Sequence, residues 1–303
     1  MRPLRFGMVF TGATEPRQWR DMARRLEDEG FSSLLVADHY LNPMACGILQ
    51  IAAADATTTL RVGSYVYNND FRHPALLAKE AATIDVMSGG RLELGIGAGW
   101  HKGEYEQTGI PFDPGPVRVS RLEEAIQIMT RLWEGERVSF TGRHYQIADF
   151  EGRPLPVQRP LPLLIGGGGP RMLRLAARHA ATVALVPRSL PDGGLDPAEF
   201  EVGAFDARIA ALEEAVREAG RSDAPPERGI LVFQIYRDVA EVQPNDWIAR
   251  EDVATSPYAL VGDTAAMADA IIRRRAMSGI SYFVCFDSDL EKMVPVARLL
   301  SGT

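Results

Sequence analysis

The chain has 303 residues, of which 46% are hydrophobic and 24% charged, the usual balance for a soluble globular protein. Its only cysteines, Cys46 and Cys285, exclude a disulfide framework and favour a reducing compartment, so we expect a cytoplasmic protein. The net charge of −7 and the lack of any apolar run near ~20 residues argue against nucleic-acid and membrane binding. The expected partner is therefore a small molecule.

Short apolar runs alternate with helical patterns along nearly the whole chain, which predicts parallel strands joined by crossover helices. The predicted strands are residues 5–10, 33–37, 61–67, 92–98, 163–166, 182–186, 229–236 and 281–286. The predicted helices are residues 14–30, 47–57, 73–87, 122–133, 203–220, 263–278 and 288–301, with a further helix starting at Pro170.

Local signals support parts of this assignment. Thr14 is a suitable N-cap for the first helix, with Pro16 in its first turn. An insertion around residues 134–160 interrupts the alternation, with a predicted hairpin at 138–147. The clearest helix carries one apolar stripe at i, i+3, i+4, i+7 spacing, formed by Leu122, Ala125, Ile126, Met129, Leu132 and Trp133.

Eight strand–helix units in about 300 residues indicate an α/β fold, a (β/α)8 TIM barrel with insertions. The sequence has no internal repeat and no convincing linker, so we expect residues 1–303 to form a single domain. An open doubly wound sheet is the alternative, and it fits eight units less well.

In such a barrel the active site lies at the carboxyl ends of the strands. The residues that follow the predicted strands are therefore the candidates for the site. They are Asp38, His39 and Tyr40 after the second strand, Asn68 after the third, Gly99, Trp100 and His101 after the fourth, Gly166, Gly167, Gly168 and Gly169 after the fifth, and Arg188 after the sixth.

The four consecutive glycines are followed by Pro170, which suits the first turn of a helix because that position needs no N–H partner. Glycines let a backbone approach an anion closely, and free N–H groups at a helix start can bind it. The pattern predicts a phosphate site, but a tight turn without a ligand would use the same residues. It matches neither a Walker A loop nor a GxGxxG fingerprint.

His39 is one of five histidines, and a neutral imidazole at a strand end can act as an acid or a base near pH 7. The alternative is a histidine that only completes the barrel rim. His101 and Glu104 offer two metal ligands without a suitably spaced third, so we expect no metal. The remaining aromatic candidates, which either line a pocket or cap the barrel mouth, are Tyr40, Tyr65, Trp100 and Tyr105.

Five stretches together resemble the luciferase-like monooxygenase superfamily, and within it the branch of F420-dependent oxidoreductases. The stretches are residues 36–39, 66–74, 78–85, 88–100 and 164–170. The resemblance covers most of residues 4–180 and is only a likeness of fold beyond them.

The resemblance implies a cofactor that lies across the strand ends, with its ring near strands two to four. It places Asp38 and His39 beside the ring and makes His39 the catalytic proton acceptor or donor. It also implies a cis peptide between Tyr65 and Val66 behind the ring. The remaining implied contacts are Asn68, Ala98 and Gly99 with the ring, and Gly166, Gly167, Gly168, Gly169 and Pro170 with the phosphate.

Two features of the resemblance bear on cofactor and substrate. Pro170 stands near the place where FMN-using relatives have a serine, which favours coenzyme F420 over FMN. Trp100 stands where F420-linked sugar-phosphate dehydrogenases have a catalytic glutamate, and the basic residues for a sugar phosphate are not clearly matched. We therefore expect a bulkier acceptor, such as a natural product or a dehydroamino acid in a peptide. Its pocket is predicted from Tyr40, Trp100, His101 and Arg188.

The leading hypothesis is thus hydride transfer between F420 and a small organic substrate. The alternatives are an FMN-dependent monooxygenase on the same barrel, a metal-dependent barrel hydrolase or isomerase, and a flavin-binding barrel without catalysis. The resemblance also implies a homodimer.

Overall fold

The computed structural model describes residues 1–11, 15–243 and 247–303. Eight parallel strands with buried apolar side chains form its centre. They are β1 (Arg5–Phe10), β2 (Ser33–Val36), β3 (Arg61–Ser64, continued by Tyr67–Asn68), β4 (Leu92–Gly97), β5 (Leu163–Gly166), β6 (Thr182–Leu185), β7 (Glu227–Val232) and β8 (Ile280–Phe286).

The strands close into a barrel in which each one pairs with its neighbours in chain order. The contact between β3 and β4, with Val62 opposite Leu92, completes one part of the ring. The contact between β1 and β8, with Arg5 opposite Tyr282, joins the first strand to the last. The prediction of a TIM barrel is confirmed, and the alternative of an open sheet is wrong.

Helices surround the barrel and cover its outer face. They are α1 (Pro16–Asp28), α2 (Cys46–Ala56), α3 (Pro74–Met87), α4 (Lys102–Thr108), α5 (Gly115–Trp133), α6 (Pro170–His179), α7 (Val202–Glu218), α8 (Thr264–Ser278) and α9 (Leu290–Leu300). The six stripe residues of α5 are all buried, which confirms the face predicted from their spacing. The proposed N-cap Thr14 lies outside the described residues.

Local chemistry explains where α3 begins and ends. His73 precedes Pro74, and its Nδ1 accepts the N–H of Ala75 at 3.2 Å, which satisfies one donor that a helix start leaves unpaired. At the other end Gly90 has a φ of +84°, and its N–H donates to the carbonyl of Asp85 at 2.8 Å. The helix that follows β3 is thereby delimited at both ends by its own sequence.

Two predicted strands differ from the structure. The third strand is interrupted at Tyr65 and Val66, where the peptide bond is cis. The seventh ends at Val232, because the N–H of Phe233 donates to the carbonyl of Tyr258 at 2.8 Å and the chain leaves the barrel there. The rest of that predicted strand pairs with a segment outside the barrel, Gln234–Tyr236 with Ala259–Val261.

Side chains at the amino ends of the strands close that end of the barrel. Arg5 contacts Glu93 at 2.7 Å and Glu227 at 2.6 Å. The same guanidinium lies 3.6 Å from the centre of the buried Tyr282 ring. These ion pairs and the ring of Tyr282 fill the barrel floor, so the space for a ligand is at the carboxyl end.

The predicted insertion is a hairpin between α5 and β5, formed by Arg137–Thr141 and Gln146–Glu151. Its strands are mostly exposed and stand apart from the barrel sheet. Across the described ranges, none of the helices combines the length and the apolar character that a membrane-spanning segment requires.

Candidate active site

A cavity of about 540 Å³ opens at the carboxyl ends of the barrel strands. Residues that end or follow each of the eight strands line it, from Val9 at β1 to Phe286 at β8. The barrel therefore places residues that are far apart in sequence around one space. This is the location predicted from the position of active sites at the carboxyl ends of barrel strands.

Asp38, at the end of β2, is a firmly held carboxylate. Arg72 contacts it with two nitrogens, at 2.6 and 2.8 Å, and the N–H of Asn68 donates to it at 3.1 Å. Because both oxygens are engaged and the residue is buried, Asp38 joins β2 to the segment after β3. This arrangement suits a structural support of the cavity wall better than a proton carrier.

His39 projects into the cavity and contacts a buried carboxylate. Its Nδ1 lies 2.6 Å from Oε2 of Glu104 on α4, and Oε1 of Glu104 accepts the N–H of Leu41 at 3.3 Å. An ionised carboxylate can only accept, so the Nδ1–H of His39 donates. The opposite ring nitrogen, Nε2, has no protein partner in the described part of the chain and is available to a ligand.

Asn68, Ala98 and Gly99 lie together in one wall of the cavity. The Tyr105 hydroxyl donates to Oδ1 of Asn68 at 3.0 Å, and burial raises the pKa of Tyr105 so that it keeps its proton. Arg118 donates to the carbonyls of Ala98 and Gly99, each at 3.3 Å. The predicted positions Asn68, Ala98 and Gly99 therefore lie together and are held from behind by Tyr105 and Arg118.

The cis peptide between Tyr65 and Val66 lies at the base of the same wall. The Val66 side chain contacts Gly97 and Gly166, since a Cβ atom at Gly97 would come within 2.8 Å of it. Tyr65 lines the cavity, and its buried hydroxyl has no hydrogen-bond partner within the residues that the structure describes.

Gly166 ends β5, the three glycines after it form the turn, and Pro170 is the first residue of α6. The N–H of Gly167 donates to the carbonyl of Ala184 at 3.2 Å, whereas those of Gly168 and Gly169 meet no protein acceptor across the described ranges. A Cβ atom at Gly168 would overlap the carbonyl oxygen of Val186. The turn thus needs glycine there and leaves two donors at a helix start, the arrangement that binds anions.

The remaining candidates occupy different parts of the mouth. Trp100 and His101 line the cavity, with Nδ1 of His101 3.7 Å from Oε2 of Glu104. Arg188 also lines it but is 57% exposed and paired with Glu199 at 2.9 Å. Tyr40 does not line this cavity: it is 51% exposed, packs on Phe71 and borders a smaller neighbouring pocket.

Several lining residues were not predicted from the sequence. Glu104 was considered only as a metal ligand, although a carboxylate on a helix after one strand can also contact a histidine at the end of another. Phe233 and Trp247 face the cavity because the chain leaves the barrel after β7, which no local pattern indicates.

The chain was compared with known proteins. The model of the family described as luciferase-like monooxygenase matches residues 4–243. An F420-dependent glucose-6-phosphate dehydrogenase of Microbacterium testaceum is 34% identical over 232 residues, which are 73% of this chain and 65% of the relative. A 5,10-methylenetetrahydromethanopterin reductase of Methanopyrus kandleri is 29% identical over 253 residues, covering 78% of this chain and 68% of the relative.

Among solved structures, the coenzyme F420-dependent tetrahydromethanopterin reductase of Methanopyrus kandleri superposes with a TM-score of 0.79. It is 20% identical, and the match covers 99% of this chain and 98% of that one, so the likeness concerns the fold. The match to the dehydrogenase spans slightly less than two thirds of its length. Because the family model matches well over half of the chain, the protein belongs to the luciferase-like monooxygenase family.

Proposed function

We propose that the protein is an F420-dependent oxidoreductase that transfers a hydride between the coenzyme and a small organic substrate. The observation that carries the proposal is the cavity in which the free Nε2 of His39 shares one space with the unpaired N–H groups of Gly168 and Gly169. The names of the curated relatives support F420 as the coenzyme.

The residues present fit a planar ring with a phosphate. Gly97, Gly99 and Gly166 carry no side chains, which keeps the wall beside Val66 flat. Gly168 and Gly169 offer two backbone donors to a phosphate, and Pro170 directs the chain into α6. Buried Arg208 lies behind the turn: its guanidinium is paired with Glu199, but its Nε has no partner within the described residues and lies 3.1 Å from the position of a Cβ atom at Gly168.

When bound, F420 supplies a carbon centre that accepts or releases a hydride. A residue of the protein must donate or accept the proton that accompanies this hydride. In the reducing direction the protonated Nε2 of His39 donates it to the substrate, and in the oxidising direction the neutral Nε2 accepts it. His39 is suited to both because its other nitrogen already donates to Glu104.

The walls of the cavity support a neutral, apolar substrate. Phe233, Trp247 and Phe286 line the side next to β7 and β8. The cations of the lining are engaged elsewhere: Arg118 donates to backbone carbonyls and Arg188 pairs with Glu199. We therefore propose an electron-poor C=C, C=N or C=O group in a natural product or a peptide, for instance a dehydroamino acid, rather than a sugar phosphate.

Parallel titration with F420 and FMN, followed by F420 fluorescence and flavin absorbance, tests the proposal. We expect micromolar affinity for F420 and no measurable affinity for FMN. Gly168→Ala should weaken F420 binding by ~10-fold or more because the new methyl would displace Val186. Gly203→Ala on α7, away from the cavity and with nothing within 4 Å of an added Cβ atom, is the control and should leave binding unchanged. Tight binding of FMN alone would favour the monooxygenase alternative.

Catalysis is separated from mere binding by His39→Ala. We expect F420 affinity within about twofold of the wild type and turnover reduced by ~100-fold or more, the usual effect of losing a general acid or base. A protein that binds F420 but turns over no substrate of the proposed class would be a non-catalytic flavin-binding barrel.

A further inference from the structure

We infer that Glu104 is the positioning residue of the site: it fixes His39 with Nδ1 protonated and Nε2 directed into the cavity. The inference rests on the proposed function, because it assigns His39 the proton transfer. Beyond that function, it assigns to Glu104 the task of preparing His39 for the proton transfer.

The geometry joins two parts of the chain that are 65 positions apart. Glu104 is 2% exposed, and its Oε2 is 2.6 Å from Nδ1 of His39. Its other oxygen accepts the N–H of Leu41, two residues beyond His39, so one carboxylate holds both the ring and the backbone of this loop. A buried carboxylate with both oxygens used cannot rotate freely, and the imidazole inherits its orientation.

The consequence is a defined tautomer. With Nδ1–H directed at Glu104, the lone pair of neutral His39 lies on Nε2, which faces the cavity. A substrate that loses a hydride to the coenzyme also loses one proton, which Nε2 accepts, and the charge of the imidazolium is balanced by Glu104. In reverse, Nε2–H gives its proton to the substrate that has gained the hydride, and the ring returns to the neutral state.

The other titratable groups near this pair do not replace Glu104. Asp38 precedes His39 but is bound by Arg72 through both oxygens. His101 lies 3.7 Å from the same Oε2 and is partly exposed, so it adds a second imidazole rather than a second carboxylate. Trp100, at the position of the catalytic glutamate in the sugar-phosphate dehydrogenases that the sequence resembles, has an indole that cannot act as an acid or a base near neutral pH. The carboxylate that contacts His39 is instead that of Glu104, about one helical turn after Trp100 in the sequence.

The kinetic test compares Glu104→Gln, Glu104→Asp and the wild type. The Glu104→Gln variant keeps the shape of the side chain and loses its charge, so kcat should fall ~10- to 100-fold while KM and F420 affinity stay within about twofold. In the reducing direction, the pH profile of kcat should shift to lower pH, because the charge that balances the imidazolium is gone. Glu104→Asp, which retains the charge, should recover part of kcat.

Glu106→Gln is the matched control: it lies on the same helix, is exposed and contacts Lys102 at 3.2 Å. It should alter neither kcat nor the pH profile. An unchanged pH profile and kcat in Glu104→Gln would overturn the inference. An equal loss of kcat in Glu104→Gln and Glu106→Gln would also overturn it.

Nitrogen NMR of the ligand-free protein, labelled on its five histidines, gives a readout that does not need activity. The His39 signals, assigned with His39→Phe, should show a proton on Nδ1 in the wild type and a tautomer mixture in Glu104→Gln. A proton on Nε2 in the wild type would contradict the inference. If the wild type fails to bind F420, the proposed function falls, while this measurement still decides whether Glu104 sets the tautomer.

Discussion

Gly99 shows how closely single residues are fitted around the site. It follows β4 with a φ of +78°, a conformation that residues with a side chain rarely adopt. A Cβ atom there would overlap the hydroxyl of Tyr105 and lie 2.6 Å from Oδ1 of Asn68. The absence of a side chain therefore allows both the turn and the packing of Asn68.

Replacement of Gly99 by alanine should therefore destabilise the folded protein through two separate effects. We expect Gly99→Ala to lower the free energy of unfolding by about 3 kcal/mol, from backbone strain plus overpacking. Gly109→Ala is the control, since Gly109 has a φ of +74° but nothing within 4 Å, and it should cost only about 1 kcal/mol. Urea denaturation measures both values, and equal losses would show that the contact with Tyr105 contributes nothing.

Residues of the site were predictable where the position in the fold alone decides their role. His39, Gly99 and the glycine turn follow strand ends, and barrel topology brings strand ends together. Glu104 could not be assigned in this way, because its partner depends on how α4 lies over the end of β2. Tyr40, predicted for the substrate pocket, lies outside the lining of the large cavity, with its ring packed on Phe71.

At the scale of elements, Glu27 connects α1 to the turn before β3. Its carboxylate accepts the N–H groups of Thr58 and Leu60, each at 2.9 Å, and that of Thr59. Partial burial opposes ionisation, but the donors Thr59, Leu60 and Thr58 outweigh it and lower the pKa of Glu27 from 4.5 to about 2. The carboxylate is thus tied to the folded chain by backbone donors.

This shift predicts a contribution to acid stability with a definite sign. A carboxylate whose pKa is lower in the folded state stabilises the protein at neutral pH, and the gain is lost as the pH falls from about 4.5 to about 2. Glu27→Gln should therefore cost about 1 kcal/mol at pH 7, a modest value because solvent screens this partly exposed group. The difference from the wild type should shrink below pH 4 in urea titrations.

Asp28→Asn, at an exposed neighbouring residue of the same helix, is the control. It should leave the fall of the free energy of unfolding at low pH unchanged. A constant difference between Glu27→Gln and the wild type from pH 7 to pH 2 would contradict the prediction.

Most elements were predictable because their apolar residues repeat with the period of a strand or a helix. α4 was missed because it has only seven residues, with Gly103 near its start and Gly109 directly after its end. Such a short helix forms no apolar stripe. The seventh strand was drawn too long because the apolar run continues through Phe233, and only the tertiary contact with Tyr258 shows where the barrel ends.

For the whole molecule, the count of eight strand–helix units predicted closure, and the closed ring confirms it. That residues 1–303 form one domain stays a prediction, as does the homodimer. Helices α2 and α3 pack against each other and expose Ile48 (72%) and Leu76 (50%), which makes them candidates for the contact between copies.

We expect the protein to sediment at twice the mass of one 33.2 kDa chain and Ile48→Asp to shift it towards the single chain, because burying a new carboxylate is costly. Met277→Asp, at an 84% exposed residue of α8, should leave the mass unchanged. A single-chain mass for the wild type at micromolar concentration would refute the homodimer.

The cavity draws its two sides from successive portions of the polypeptide. Residues from β2 to β5 form the side with His39, Gly99 and the glycine turn, whereas Phe233, Trp247 and Phe286 come from later in the chain. The loop after β7 can therefore diverge, by substitution or exchange, without replacing any residue of the earlier wall. Under the proposed function, such a barrel can acquire new acceptors while it keeps its coenzyme, which makes the loop after β7 the natural place to redesign its selectivity.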